Sequence, residues 1–198
     1  MDAPAGTLGS RAARGSIILI AAQGCKSLAM FVSGMLLSRL LPPAAFGMSA
    51  LITSLVGSLA LFSDFGLGTA TVQRDGLTDR QLSSVFWLNS GLALALSLFG
   101  AALAPVAAWA FHDPQLRDVT LALCPVLLLS GLRHQPMTLL SRRMQFGRMA
   151  IAELCATGVG IAVAIFMALR GFGVYALIGQ AVATAGVETA LIWAQAAW

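Results

Sequence analysis

Ile17-Ile18-Leu19-Ile20-Ala21-Ala22-Gln23-Gly24-Cys25-Lys26-Ser27-Leu28-Ala29-Met30-Phe31-Val32-Ser33-Gly34-Met35-Leu36-Leu37-Ser38-Arg39-Leu40 is an apolar run of 24 residues with one charge, Lys26, ahead of its closing Arg39. A helix needs about 20 such residues to cross the roughly 30 Å hydrocarbon core of a bilayer. Backbone polar groups must be satisfied internally there, so the run reads as a spanning helix. Working outward from it, five more runs follow, giving expected spans at 17–40, 47–67, 85–111, 119–140, 150–169 and 174–195. Each gap holds turn residues or charge. Leu41-Pro42-Pro43-Ala44-Ala45-Phe46 is expected to interrupt the helix because two prolines lack amide donors, and His112-Asp113-Pro114 ends the third run for the same reason. Arg170-Gly171-Phe172-Gly173 reads as a tight reversal in which glycine supplies backbone freedom.

The whole chain agrees with this reading. Of its 198 residues 58% are hydrophobic and only 10% charged, with a mean hydropathy of +0.85 spread along the length, which excludes a water-soluble fold and a single anchor. Residues 1–16 read as a cytoplasmic N-terminal segment and 17–198 as a six-helix transmembrane unit, an all-α membrane protein. Orientation follows from the cations outside the spans. Arg11, Arg14, Arg74, Arg80, Arg142, Arg143 and Arg148 fall on one side, and only Arg39, Arg117 and Arg170 on the other, so both termini are expected in the cytoplasm. The net charge of +4 therefore reports orientation, and no basic cluster points to a nucleic acid. Cys25, Cys124 and Cys155 lie in apolar stretches without CxxC spacing and read as packing residues; no metal site or cofactor is expected.

The remaining cations lie inside spans. At 100° per residue, Gln23, Lys26, Ser27, Ser33, Gly34 and Ser38 gather on one side of the first helix within about 140°. Ser130, Arg133, His134, Thr138 and Ser141 share a face of the fourth, Glu153, Thr157 and Gly160 a face of the fifth, and Gln180, Thr184 and Glu188 a face of the sixth. At 1.5 Å per residue from the cytoplasmic ends, Lys26 lies about 13 Å in, Arg133 and Glu188 about 10 Å, and Glu153 nearer the surface. A charge near the bilayer centre costs about 2.5–3.5 kcal/mol on the permissive scale, so these residues should face one another or a hydrated cavity. Two readings stand. Lys26, Arg133, Gln23 and His134 line a substrate cavity with Glu153 and Glu188 as coupling or ion-pair partners, or Lys26 pairs with Glu188 and Arg133 with Glu153 merely to fix helix register. Asp64-Phe65-Gly66 matches a kinase tripeptide without the kinase surroundings, and Gly158-x-Gly160 and Gly171-x-Gly173 are incomplete as nucleotide fingerprints; in membrane helices such glycines mean close packing. No nucleophile has a neighbouring base, and the scattered Asp75, Asp79, Asp113 and Asp118 do not form the metal site a membrane-embedded transferase would need, so the chain does not read as an enzyme.

The connections carry a resemblance. Ser38-Arg39-Leu40-Leu41-Pro42-Pro43-Ala44-Ala45-Phe46-Gly47, Phe62-Ser63-Asp64-Phe65-Gly66-Leu67-Gly68, Val72-Gln73-Arg74-Asp75-Gly76-Leu77-Thr78 with Val85-Phe86-Trp87-Leu88-Asn89, Leu140-Ser141-Arg142-Arg143-Met144-Gln145-Phe146 and Gly171-Phe172-Gly173-Val174-Tyr175-Ala176-Leu177 stand in an order that is similar to the WzxC-like lipopolysaccharide and exopolysaccharide exporters. These belong to the multidrug/oligosaccharidyl-lipid/polysaccharide flippase superfamily. The resemblance implies a MATE-like lobe of six helices, half of a two-lobed transporter of the bacterial inner membrane. It implies a lipid partner and substrate, an undecaprenyl-pyrophosphate-linked oligosaccharide moved to the periplasmic leaflet by alternating access. Because the chain ends after the sixth run, a second lobe is expected as a separate chain or as a self-dimer. The alternative reading is a truncated, non-transporting remnant or structural membrane subunit.

Overall fold

A computed structural model of the chain describes residues 5–63, 79–142 and 145–196. Among these residues the structure is helical throughout, with six helices: α1 (Ala5–Leu40), α2 (Pro43–Ser63), α3 (Asp79–Phe111), α4 (Gln115–Arg142), α5 (Phe146–Leu169) and α6 (Val174–Gln195). Five of them are long and apolar enough to cross a membrane, and the apolar part of α2, Pro43–Ser58, is shorter. The chain is therefore a multi-pass membrane protein built as an all-α bundle. Its outward surface carries bulky apolar side chains such as Phe31, Leu98, Trp109 and Phe166, which water would not tolerate in such density and lipid does.

Helix ends depart from the apolar boundaries. The break after α1 is two residues, Leu41 and Pro42, rather than the six expected. Pro43 opens α2 because a helix's first residue has no intrahelical use for an N–H, so proline costs nothing there. Likewise α3, α4 and α5 begin at Asp79, Gln115 and Phe146, upstream of 85, 119 and 150, because a helix continues through polar residues past the lipid boundary. The expected end of the second span at residue 67 lies outside the described residues, as do Arg74 and Arg143. Pro105 sits within α3 without dividing it. The reversal after α5 is as read: Gly171 takes φ +79°, the Phe172 N–H donates to the Met167 carbonyl at 3.1 Å and the Gly171 N–H to the Ala168 carbonyl at 3.0 Å, closing a Schellman motif.

The helices pack in the order α1, α5, α6, α4, α3, with α2 laid against α4, α3 and α6. Small residues permit the close crossings. On α5, Ala152, Ala156, Gly160, Ala164 and Ala168 recur every fourth position and are all buried. A Cβ at Gly131 of α4 would collide with the Ala93 Cβ of α3, and at the same crossing Asn89 Nδ2 donates to the Gly131 carbonyl at 3.2 Å. Pro136 in α4 cannot donate to the Leu132 carbonyl one turn back; Trp193 Nε1 of α6 supplies the missing donor at 3.1 Å. Two apolar clusters result. The larger joins Leu37, Ile52, Val119, Leu123, Ala164 and Ile178 toward the end of the short connections, and the smaller joins Leu140, Met149, Ala152 and Ile192 at the other end.

Candidate functional site

Along the helices between the two apolar clusters lies a polar layer. α1, α2, α4 and α6 surround a cavity of about 440 Å³, within the range of about 300–1,000 Å³ usual for a small-ligand site. Lys26 of α1, Arg133 of α4 and Glu188 of α6 line it, together with Ser33, Ser130, Gln180 and Thr184. Two smaller cavities of about 250 and 300 Å³ have uncharged linings, which makes the larger one the candidate for an ionic ligand.

The charges are paired, and differently from the pairing considered above. Lys26 Nζ lies 2.5 Å from Glu153 Oε1, joining α1 to α5, and Arg133 Nη1 meets Glu188 Oε2, joining α4 to α6. The expected Lys26–Glu188 and Arg133–Glu153 pairs are thus corrected by helix order: α1 packs on α5 and α4 on α6, so each cation meets the acid of its own neighbour. The two pairs are not equivalent. Glu188 is itself part of the cavity wall with 8% of its side chain exposed, whereas Glu153 stands outside the lining and holds Lys26 from the flank. Arg133 is therefore committed to a buried carboxylate inside the cavity, and Lys26 to a more exposed one beside it.

Of the other expected site residues, Gln23 and His134 are not among the lining residues. Gln23 shares the stripe of Lys26 and Met30 but lies nearer the start of α1 and is exposed. His134, turned 100° from Arg133, is half-buried, and its carbonyl accepts the Thr138 hydroxyl at 2.9 Å. The sequence reading missed Ser49 and Thr53 of α2, which complete the wall; their four-residue spacing within an apolar helix was the available signal. Among the described residues no group of His, Cys, Asp and Glu is placed to hold a metal ion, and the three thiols are free.

Chemically, the wall presents two cations, one acid, Glu188, and several neutral donors, with Glu153 holding Lys26 from outside it. Such a set can hold an anion through charge-assisted hydrogen bonds once a cation is released from its acid.

Comparison with known proteins gives these matches. The model of a family described as polysaccharide biosynthesis protein matches residues 36–198. The succinoglycan biosynthesis transport protein ExoT of Rhizobium meliloti (strain 1021) is 31% identical over 168 residues, 83% of this chain and 33% of that protein. The teichuronic acid biosynthesis protein TuaB of Bacillus subtilis (strain 168) is 28% identical over 107 residues, 52% of this chain and 22% of that protein. The lipopolysaccharide biosynthesis protein WzxC of Escherichia coli (strain K12) is 24% identical over 126 residues, 63% of this chain and 25% of that protein. The chain thus spans a third or less of the length of these relatives. No solved structure matches it.

Proposed function

The chain belongs to the polysaccharide biosynthesis protein family, and from that premise we propose that it serves as one lobe of an exporter that flips an undecaprenyl-pyrophosphate-linked oligosaccharide across the bacterial inner membrane for lipopolysaccharide or exopolysaccharide synthesis. One observation carries the reading: Lys26 and Arg133 line a single cavity walled by apolar helices. A buried cation is expensive in lipid, and a pyrophosphate is a ligand of opposite sign that rewards keeping two of them there. The relative named for succinoglycan transport supports the same direction. Alternating access by rocking needs two bundles around a central site, so the proposal includes a second lobe, either another chain or a second copy. Both termini lie in the cytoplasm on this reading, because seven of the cations outside the spans then face inward against three outward.

The test is complementation of a strain lacking its own flippase, with in-membrane crosslinking. Export restored together with a crosslinked dimer, or only when a second six-helix chain is supplied, is the expected result. Full export by a chain that crosslinks only as a monomer would overturn the two-lobe reading. No export with any partner, from a chain that is folded and abundant, would favour the non-transporting remnant.

A further inference from the structure

Several hydroxyls in these helices are satisfied by their own backbone. Ser38, Ser49, Ser58, Thr120, Thr138, Thr157 and Thr189 each donate to a carbonyl three or four residues back, at 2.6–3.0 Å. Ser33 and Ser90 depart from the pattern, both being buried without a hydrogen-bond partner, and of the two only Ser33 lines the cavity. Ser33 is 1% exposed. An unpaired buried hydroxyl is costly in the empty protein and useful only when something in the cavity completes it. Across from it Gln180 lines the same cavity and spends its Nε2 on the Met30 sulfur at 3.5 Å, a weak acceptor that an oxygen would displace. Gly34, next to Ser33, has nothing within 4 Å of where a Cβ would stand, so the wall is open there. Ser33 sits seven residues beyond Lys26 on α1, about 10 Å along the helix axis. The cavity therefore has a charged level and, deeper toward the short connections, a neutral level of hydroxyl and amide.

Resting on the proposed export function, we infer that Ser33 and Gln180 form a glycosyl subsite. They recognise hydroxyl groups of the sugar attached to the pyrophosphate held by Lys26 and Arg133. The neutral level carries no charge to bind a second phosphate, and a sugar hydroxyl both accepts from Ser33 Oγ or Gln180 Nε2 and donates to either oxygen. The offset between the levels suits a pyrophosphate followed by one sugar ring.

The experiment measures binding of two probes to the full chain in nanodiscs, undecaprenyl pyrophosphate and undecaprenyl-pyrophosphoryl-glucose, together with the melting temperature of the unliganded protein. The variants are Ser33→Ala and the volume-matched Gln180→Met. Wild type is expected to bind the glucosylated lipid more tightly than the bare one. Each variant is expected to lose about fivefold to tenfold in affinity for the glucosylated lipid, the size of one hydrogen bond, and to keep its affinity for the bare lipid. Unliganded Ser33→Ala is expected to melt no lower than wild type, because it removes an unpaired polar group; a structural serine would show a fall. Equal binding of both lipids by wild type, or a Ser33→Ala protein that melts lower and binds the glucosylated lipid normally, overturns the subsite and leaves the pyrophosphate reading standing. Failure of folded wild type to bind either lipid, alone and with the second lobe that restores export, overturns both.

Discussion

A side-chain carbon placed on Gly160 of α5 would run into Thr184 Oγ1 of α6 and stand 3.0 Å from the Gln180 carbonyl oxygen. Two of the cavity's neutral residues are thus set in place by a glycine that does not itself line the cavity. Gly160→Ala is expected to destabilise the protein by about 1–3 kcal/mol, the usual cost of overpacking, and adding Thr184→Ala should recover part of it. Gly158→Ala, two residues away with nothing within 4 Å, should be neutral or gain up to about 1 kcal/mol of helix propensity. Unfolding in mixed micelles measures all three. A Gly160→Ala protein as stable as wild type would show that α5 and α6 do not meet here.

Arg133→Gln strands the Glu188 carboxylate in the cavity wall and should cost about 3–5 kcal/mol, as breaking one side of a buried pair does. Arg133→Gln with Glu188→Gln replaces both charges and should recover most of that loss. The double-mutant cycle is read by the same unfolding assay, and a double variant no more stable than the single one would remove the pair from the account.

The pair at Lys26 is more exposed, at 26% and 21% of the two side chains, so Lys26→Gln should cost only about 1–2 kcal/mol, between the values for exposed and buried pairs. Exchanging the charges, Lys26→Glu with Glu153→Lys, should restore stability but not export. The cation would then sit on α5, outside the cavity lining. Export recovered by the exchange would mean that Lys26 serves only to fix helix register.

Reporter fusions test the orientation. A fusion after Trp198 should report a cytoplasmic C-terminus, and one in the turn at residues 112–114 should report the opposite side. A periplasmic signal after Trp198 would mean one crossing fewer or more, with the short apolar stretch of α2 as the place to look.

Five of the six helices were legible because lipid imposes a length and a composition that few other environments impose, and α2 by the prolines that set it off from α1. The inward faces of Lys26, Arg133 and Glu188 were legible for a related reason, since depth and face follow from rise and rotation along one helix. Pairing was not. Whether Lys26 meets Glu153 or Glu188 depends on which helix stands beside α1, and both acids lie within reach of a reading based on depth alone. Gln23 shows the same limit, since it occupies the correct stripe but lies outside the walled part of the helix. The early starts of α2, α3 and α4 escaped a reading keyed to apolar runs because their first turns are proline or polar residues, which hydropathy assigns to loops.

The Lys26–Glu153 contact also sets a clock on biogenesis. Its members are 127 residues apart, and at a synthesis rate of about 5–20 residues per second Glu153 follows Lys26 from the ribosome by roughly 6–25 s. Through that interval α1 occupies the bilayer or the insertion machinery with an ammonium group whose Glu153 partner does not yet exist. Its flexible stem allows the group to reach toward the aqueous edge until α5 arrives. Arrival of α5 then draws the ammonium inward, and assembly of the bundle ends the wait of its first helix.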